Sequence, residues 1–244
     1  MSNKYFQFKQ FTIYQDRCAM KVTTDACLFG GWIAEENKSD KVTTKNVFDI
    51  GAGTGLLSLM YAQKISYADI DAIEIDQEAY TQARDNIAAS PFSKRINIIH
   101  GDVKTFSFRK KYDCIISNPP FYEKEIPSDK ETRNIAHHQS GLLFNDLLNI
   151  IKHNLSASGV FYLLLPFKRN EEIKKVLFRQ NLFVSKIVFV KQSPEHNYFR
   201  MMIAGKSTRG SAAETLIEEI SIWNDHQQYT NEFKGLLKDY YLYL

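Results

Sequence analysis

The sequence predicts an α/β fold whose sheet has seven strands, is mostly parallel and ends in an antiparallel C-terminal β-hairpin. From Asn46 onward, apolar runs rich in β-branched residues alternate with helical patterns, as in chains that form parallel sheets. After Gln180, strand-like runs at residues 183–191 and 198–204 are separated by only a short polar stretch. Such short spacing indicates a hairpin, and therefore an antiparallel strand at the sheet edge.

The remaining core elements follow the same apolar pattern. We place the first five strands at residues 46–50, 70–75, 96–100, 112–117 and 160–166. We place helices at residues 54–65, 77–89, 143–154 and 169–180. Because helical patterns lie between most of these strands, the segments form βαβ units, which build parallel sheets.

A length of 244 residues suits a single domain with small additions at both ends. We expect residues 1–20 to form an N-terminal β-ribbon, residues 21–205 the core, and residues 206–244 a C-terminal appendage of strand and helix. The helix after the ribbon is predicted at residues 25–36, and the strand of the appendage at residues 216–223. No pattern in the appendage indicates chemistry.

Composition and charge exclude several classes of protein. The 31 basic and 28 acidic side chains give a formal charge of +3, which permits a nucleic-acid partner without requiring one. The cysteines Cys18, Cys27 and Cys114 are widely spaced, so neither a disulfide framework nor a metal site is predicted. The sequence starts without a signal-peptide pattern, and no apolar run approaches the roughly 20 residues that span a membrane. We therefore expect a cytoplasmic protein without membrane or metal, and we favour a monomer.

A glycine-rich segment, D-I-G-A-G-T-G at residues 49–55, follows the first core strand and opens a helix. Its glycines let the backbone turn tightly and approach a nucleotide-like ligand closely. The candidate binding residues are Gly51, Ala52, Gly53 and Gly55. A dinucleotide fingerprint would need its third glycine at position 56, where the chain has Leu56. The segment begins with Asp49, whose carboxylate suits an ammonium and a sulfonium, and this favours S-adenosyl-L-methionine over NAD.

The next two strands end in acidic residues that suit an adenosine. The second core strand ends in Glu74 and Ile75. There a carboxylate can accept hydrogen bonds from both ribose hydroxyls, and Ile75 can cover one face of the adenine. Asp76 precedes a helix and is expected to be its N-cap. We expect Asp102 and Val103, after the third strand, to accept the adenine amino group and to line the ring, although an Asp after a glycine is often only a turn former.

The fourth core strand runs into Asn118-Pro119-Pro120-Phe121-Tyr122, at the sheet edge that also holds the glycine-rich segment. An exocyclic amine conjugated with a ring is a poor nucleophile because its lone pair is delocalised. The Asn118 side-chain oxygen and the Pro119 carbonyl can accept both N–H groups and draw the nitrogen toward sp³ geometry. The prolines stiffen the loop, and Phe121 or Tyr122 can stack on the planar acceptor. The loop predicts methyl transfer to an amino nitrogen, with Asn118 also on the cofactor side; its structural alternative is a proline turn that ends a strand.

With these motifs, the chain resembles the Rossmann-like class I S-adenosylmethionine-dependent methyltransferases over about residues 21–205. More narrowly, it resembles the bacterial tRNA adenine-N6-methyltransferases that modify adenosine 37 of a valine tRNA. The similar segments are F-Q-F-K-Q-F at residues 6–11, M-K-V-T-T-D-A at residues 20–26 and the loop at residues 121–139. The resemblance implies S-adenosyl-L-methionine as cofactor, tRNA as partner and N6-methylation of an adenosine as activity.

The resemblance also implies roles for individual residues. In that family the stretch K-V-x-T-D lies near the cofactor, which implies cofactor-side roles for Lys21, Thr24 and Asp25. Thr24 or Asp25 can equally be the N-cap of the following helix. Several basic side chains are candidates for contacts with tRNA phosphates, although most such charges are only solvated. They are Arg109, Lys110, Lys111, Lys168, Arg169, Lys174, Lys175, Arg179 and Arg200.

Two alternatives keep part of this interpretation. First, the acceptor of the same loop could be a protein glutamine, a guanine N2 of ribosomal RNA or a DNA adenine. Glutamine-methylating relatives usually carry Tyr after the prolines and a helical recognition domain, whereas this chain has Phe121 and a short ribbon; DNA enzymes usually add a target-recognition domain. Second, the chain could be a catalytically silent module that binds S-adenosylmethionine or RNA. The intact acceptor residues argue against the silent module.

Overall fold

The computed structural model describes residues 3–38, 45–120, 142–208 and 214–244, and in these ranges it has ten strands and six helices. The strands are β1 (Tyr5–Gln7), β2 (Thr12–Tyr14), β3 (Asn46–Ile50), β4 (Asp69–Glu74), β5 (Ile96–His100), β6 (Tyr112–Ser117), β7 (Leu155–Pro166), β8 (Phe183–Lys191), β9 (Tyr198–Lys206) and β10 (Leu216–Ser221). The helices are α1 (Thr24–Glu36), α2 (Leu56–Lys64), α3 (Gln77–Ala88), α4 (Phe144–Asn154), α5 (Asn170–Arg179) and α6 (Asn231–Leu237).

Eight of the strands form one sheet, in the order β10-β8-β9-β7-β6-β3-β4-β5. From β7 to β5 the neighbouring strands run parallel, and β3 has β4 on one side and β6 on the other. The carboxyl ends of β3, β4, β5 and β6 therefore meet at one edge, where open α/β sheets bind their ligands. β1 and β2 pair separately as the predicted antiparallel ribbon.

The sheet has eight strands instead of the predicted seven because the C-terminal tail contributes β10. The antiparallel hairpin of β8 and β9 is confirmed, but its predicted position at the sheet edge is wrong, since β10 pairs parallel to β8. Glu218 and Glu219 interrupt the apolar alternation of β10. The sequence pattern therefore did not predict that this strand belongs to the sheet. They form ion pairs with Lys186 and Lys191 of β8, at 3.0 and 3.4 Å. Cross-strand charge pairs of this kind stabilise the pairing, which also covers the backbone groups of β8.

The predicted bounds hold for β3, β5, β6 and β8, whereas β7 is longer than predicted. It begins at Leu155 and not at Val160. The intervening S-A-S-G segment at residues 156–159 has low β propensity, which explains the shorter prediction. Leu155 is nevertheless paired with Tyr112 of β6, and the register shifts after this pair. Residues 156–159 thus form an irregularity in β7, and β7 extends to Leu155 because pairing with β6 resumes beyond it.

The core has one apolar cluster on each face of the sheet. In β3, Val47 faces the cluster formed with α1, α2, α3 and the C-terminal tail. Phe48 faces the cluster formed with α4 and α5. The tail packs closely on the first face, because the Tyr240 hydroxyl donates to the Met60 carbonyl at 2.9 Å. The period of two along β3 thus buries both of its faces, as expected for a central parallel strand.

Asn86 of α3 ties the N-terminal ribbon to the glycine-rich segment. Its side-chain oxygen accepts from the Tyr14 amide at 3.0 Å, and its Nδ2 donates to the carbonyls of Tyr14 and Thr54 at 2.9 and 3.0 Å. The side chain is buried, so these hydrogen bonds are shielded from competing water. The ribbon is therefore held against the edge of the sheet where the functional loops meet. In the described ranges, no helix has both the length and the apolar character needed to cross a membrane.

Candidate cofactor cavity and acceptor loop

The glycine-rich segment turns through three left-handed residues. Gly51, Gly53 and Gly55 have φ angles of +74°, +56° and +82°, in the region where side chains other than glycine are strained. The amides of Gly51 and Ala52 both donate to the Ile73 carbonyl of β4, at 2.9 and 3.0 Å. A Cβ atom built on Gly51 or Gly53 has no described atom within 4 Å, so the segment borders open space. The glycines therefore allow a ligand to approach the backbone, as predicted.

Glu74, at the end of β4, fixes this turn. Its Oε2 accepts from the Gly53 amide at 2.8 Å, and its Oε1 accepts from the Asp76 amide at 2.9 Å. The side chain is 8% exposed, so the carboxylate is shielded but reaches the cavity. Each carboxylate oxygen can accept more than one hydrogen bond, and capacity therefore remains for ligand hydroxyls.

A cavity of about 370 Å³ lies at the carboxyl ends of β3 to β6, within the usual range of about 300–1,000 Å³ for ligand sites. The predicted residues that line it are Gly51, Gly53, Glu74, Ile75, Asp102, Val103, Asn118, Pro119 and Pro120. The residues that sequence reasoning missed include Cys18, Ala19, Met20, Lys104, Ser117 and Leu142. The cavity thus joins four strand ends with the segment between the ribbon and α1. That segment is irregular, so periodicity gave no signal for its contribution.

The two other acidic residues at the cavity also have local structural roles. Asp76 is the N-cap of α3, as predicted, and accepts from the Ala79 amide at 2.8 Å. Asp102 accepts from the Lys104 amide at 2.9 Å, which is the turn-forming role weighed against ligand binding. Its side chain is 29% exposed and lines the cavity. Turn formation and contact with a ligand are therefore compatible at Asp102.

Asp49, the first residue of the glycine-rich segment, is buried and is not among the residues that line the cavity. Its Oδ2 accepts from the Ser58 hydroxyl at 2.7 Å, whereas its buried Oδ1 has no hydrogen-bond partner among the described residues. Burial raises the pKa of this carboxyl from 3.8 to about 6, and the hydrogen bond from Ser58 opposes the rise. The unpaired Oδ1 is thus a buried acceptor two residues before Gly51, and the role of Asp49 toward an ammonium group stays a prediction.

Lys21, Thr24 and Asp25 do not line the cavity, and their cofactor-side roles stay predictions. Lys21 Nζ donates to the carbonyls of Gln15 and Cys18, and thereby holds the segment that forms one cavity wall. Thr24 is exposed on the first turn of α1. The N-cap of α1 is Thr23, one residue before the predicted candidates, and its hydroxyl accepts from the Ala26 amide at 3.4 Å.

Asn118, Pro119 and Pro120 stand between two cavities. They line the 370 Å³ cavity and also a groove of about 740 Å³ on its other side, to which Met20 is likewise common. We call this 740 Å³ groove the acceptor groove. Its remaining lining residues are Leu164, Pro166, Lys168, Arg169, Glu172 and Arg200. The predicted stacking residues, Phe121 and Tyr122, lie outside the described residues.

The residues present fit S-adenosyl-L-methionine in the cavity. Glu74 offers a carboxylate for ribose hydroxyls, Ile75 and Val103 offer apolar contacts for a base, and the open space beside Gly51 and Gly53 accommodates close approach. The part of the chain that the structure describes has no group of His, Cys, Asp or Glu side chains that could hold a metal ion. The arrangement suits a ligand recognised by hydrogen bonds and apolar contacts.

Comparison with known proteins identifies the family and supports S-adenosyl-L-methionine as the cofactor. Residues 35–164 match the model of the methyltransferase small domain family. The chain is 39% identical over 243 residues to a tRNA1(Val) (adenine(37)-N6)-methyltransferase of Dyadobacter fermentans, covering 98% of each chain. It is 38% identical over 242 residues to the protein of the same name from Phocaeicola vulgatus, covering 99% of each. The similarity thus extends well beyond the motifs to almost the full length of these relatives.

Solved structures with low sequence identity share the fold. A protein described as a predicted O-methyltransferase from Agrobacterium tumefaciens superposes with a TM-score of 0.65 at 19% identity, over 88% of this chain and 96% of that one. A glycopeptide N-methyltransferase solved with S-adenosyl-L-methionine has a TM-score of 0.54 at 13% identity, over 74% of this chain and 88% of that one. These comparisons confirm the class I methyltransferase fold. By identity over its whole length, the chain belongs to the tRNA1(Val) (adenine(37)-N6)-methyltransferase family.

Proposed function

We propose that the protein transfers the methyl group of S-adenosyl-L-methionine to N6 of adenosine 37 in tRNA1(Val). The observation that carries this proposal is the position of Asn118-Pro119-Pro120 between the cofactor cavity and the acceptor groove. A methyl transfer needs the acceptor nitrogen close to the sulfonium methyl and in line with it, so residues that line both spaces can contact donor and acceptor together. The names of the full-length relatives support adenosine 37 of tRNA1(Val) as the acceptor.

The loop residues act on the acceptor amine. S-adenosyl-L-methionine, when bound, supplies an electrophilic methyl group on a sulfonium. The Asn118 side-chain oxygen and the Pro119 carbonyl accept the two N–H groups of the adenine amine, which localises its lone pair. The rigid prolines hold these acceptors in place. The proton leaves the cationic product after transfer, so no side chain needs to act as a base beforehand.

The cavity residues bind and orient the cofactor. Glu74 accepts hydrogen bonds from the ribose hydroxyls while its bonds to the amides of Gly53 and Asp76 keep it in place. Ile75 and Val103 contact the adenine, and Asp102 accepts from its amino group. Asp49 complements the positive charge of the methionine portion. Phe121 or Tyr122 stacks on the target base.

We further propose that the enzyme works in the cytoplasm as a monomer that needs no metal ion. Its cysteines, Cys18, Cys27 and Cys114, are all buried and free, which suits a reducing compartment. Burial also raises the pKa of the Cys18 thiol at the cavity wall to about 11, so it stays a thiol at neutral pH. Activity unchanged by a chelator and a monomeric mass in solution are the expected results.

The proposal is tested by incubating the protein with labelled S-adenosyl-L-methionine and either unmodified bulk tRNA or total protein. Digestion and mass spectrometry then identify the methylated product. We expect N6-methyladenosine from the tRNA and no labelled glutamine from the protein. Methylglutamine would favour the protein-modifying alternative, and tight cofactor binding without transfer would favour a silent module.

A further inference from the structure

Arg200 reaches the acceptor groove because β9 runs antiparallel to its neighbours. The parallel strand β7 ends at the functional edge with Pro166, and Pro166 is paired in register with Arg200. An antiparallel strand begins where its parallel neighbour ends, so the start of β9 lies beside the acceptor loop. The hairpin of β8 and β9 therefore delivers a basic side chain to the edge where the other strands deliver acidic and amide groups.

Asp25 holds this arginine in one orientation. The Arg200 Nε donates to Asp25 Oδ2 at 2.7 Å, linking β9 to the first turn of α1. The Asp25 side chain is only 13% exposed, whereas that of Arg200 is 39% exposed. The Nη1 atom makes a long contact of 3.5 Å with the Phe199 carbonyl, and Nη2 has no partner within residues 3–38, 45–120, 142–208 and 214–244. The pair thus leaves the outer edge of the guanidinium available to a ligand.

Arg169, another basic residue that lines the groove, forms a different kind of ion pair. Arg169 directs both Nε and Nη2 to Glu172, each at 2.6 Å, and Glu172 also lines the groove. The charge of Arg169 is therefore compensated inside the groove itself. Asp25, by contrast, is not among the residues that line the groove, so the carboxylate that pairs with Arg200 lies outside the groove and leaves the guanidinium as the group that faces a ligand there. Planar guanidinium groups bind phosphate oxygens through pairs of N–H donors.

We propose that Arg200 binds a phosphate group of the RNA backbone next to the target adenosine, and that Asp25 is the positioning residue for Arg200. The inference rests on the proposed function, because it takes the acceptor groove as the RNA site. It gives Asp25 a role toward the acceptor, in addition to the cofactor-side role that the resemblance implies. The phosphate contact fixes the distance between the RNA backbone and Asn118, and so helps place the adenine amine.

The test compares the steady-state kinetics and RNA binding of Arg200→Ala, Arg200→Lys and the wild-type protein. We expect Arg200→Ala to raise the KM for tRNA about tenfold and to lower the salt dependence of binding by about one phosphate contact. Arg200→Lys keeps the charge but loses the planar fork, so its KM should be intermediate and its salt dependence that of the wild type. Cofactor affinity should be unchanged in both, which also verifies folding.

The Asp25→Ala variant distinguishes the orientation of Arg200 by Asp25 from a simple effect of net charge on RNA binding. Removal of a carboxylate near the RNA would lower the KM if only net charge mattered. If Asp25 orients Arg200, the KM rises about threefold in spite of the lost negative charge, and kcat falls as the base is misplaced. A KM below that of the wild type overturns the positioning role.

Lys94→Ala is the matched control, because Lys94 is exposed in the short turn that precedes β5, at the opposite end of that strand from the cavity. It should leave the KM and the salt dependence unchanged. If Arg200→Ala behaves like Lys94→Ala while the wild type methylates tRNA, the phosphate contact is refuted and the proposed function stands. If the wild type neither binds nor methylates tRNA, both proposals fall.

Discussion

Glu74 and Gly53 connect two of the loops that line the cavity, because the Glu74 Oε2 accepts from the Gly53 amide at 2.8 Å. The second oxygen of Glu74 accepts from the Asp76 amide at the start of α3. One carboxylate therefore fixes both the glycine turn and the end of β4 that borders the cavity. A ligand that contacts Glu74 encounters a group that is already oriented, which reduces the entropic cost of binding.

Glu74→Ala should therefore weaken cofactor binding. Hydrogen bonds to a charged group contribute about 1.5–3 kcal/mol each, so loss of even one ribose contact should raise the Kd for S-adenosyl-L-methionine at least about tenfold. Isothermal titration calorimetry measures this change. Glu78 lies on the exposed first turn of α3. Glu78→Ala is the control and should bind S-adenosyl-L-methionine with the affinity of the wild type. An unchanged Kd for Glu74→Ala would remove the ribose role from Glu74.

Asn118→Ala should separate binding from chemistry. The side chain acts on the acceptor amine, so we expect kcat to fall about a hundredfold or more, as when one preorganised hydrogen-bonding group is lost from an active site. The cofactor Kd should stay within about threefold of the wild type, since Asn118 is one of many lining residues. Asn149→Ala, on the exposed face of α4, should change neither quantity. Lost cofactor affinity with preserved turnover would contradict the assignment.

Asp49→Asn should stabilise the ligand-free protein at neutral and alkaline pH. The folded protein has a pKa of about 6 at Asp49, above the ordinary 3.8, so it holds the proton more tightly than the unfolded chain. The resulting stability is present below pH 4 and is lost as the pH rises through 6. This pKa difference corresponds to about 3 kcal/mol.

Urea unfolding of the wild type and of Asp49→Asn between pH 4.5 and pH 8 checks this prediction. The advantage of the variant in unfolding free energy should grow from pH 4.5 to just above the folded pKa of about 6 and then stay constant up to pH 8. Asn can still accept from the Ser58 hydroxyl, so the local hydrogen bond is retained. A constant difference across the interval would show that Asp49 ionises at its ordinary pKa in the folded protein.

We propose that the ribbon, core and tail unfold as one domain, because Phe8, Trp32 and Tyr240 belong to the same apolar cluster. The two tryptophans provide the test: Trp32 lies in α1, and Trp223 stacks on Tyr229 in the tail at 4.1 Å between ring centroids. In Trp32→Phe and in Trp223→Phe, the remaining tryptophan should report the same urea midpoint as far-UV circular dichroism. A separate, earlier transition of Trp223 would show that the tail is an independent unit.

The central strands and the glycine turn could be predicted because their signals are local. β3 and β6 are short, mainly apolar runs, and Gly51, Gly53 and Gly55 mark the turn that needs positive φ angles. The position of β10 could not be predicted, because Glu218 and Glu219 look like surface charges until Lys186 and Lys191 of β8 are known to lie opposite. Pairing across the sheet is a tertiary property that the sequence of one strand does not contain.

The candidate site likewise has parts that the local sequence predicts and parts that depend on tertiary structure. Strand ends that carry Glu74 and Asn118 could be assigned to one edge from topology alone. The contribution of Met20 and the pairing of Asp25 with Arg200 depend on how the ribbon and the C-terminal hairpin return to that edge. Asp25 and Arg200 lie 175 positions apart in the sequence. No periodicity or motif in the sequence connects such distant segments.

The account is tested most directly by methyl transfer to two transcripts of tRNA1(Val), one with adenosine and one with guanosine at position 37. With labelled S-adenosyl-L-methionine, the adenosine transcript should receive about one methyl group per molecule, recovered as N6-methyladenosine in the anticodon-loop fragment, and Asn118→Ala should abolish it. The guanosine transcript should receive none. Equal labelling of both transcripts, or labelled protein glutamine in place of labelled tRNA, would contradict the proposed function.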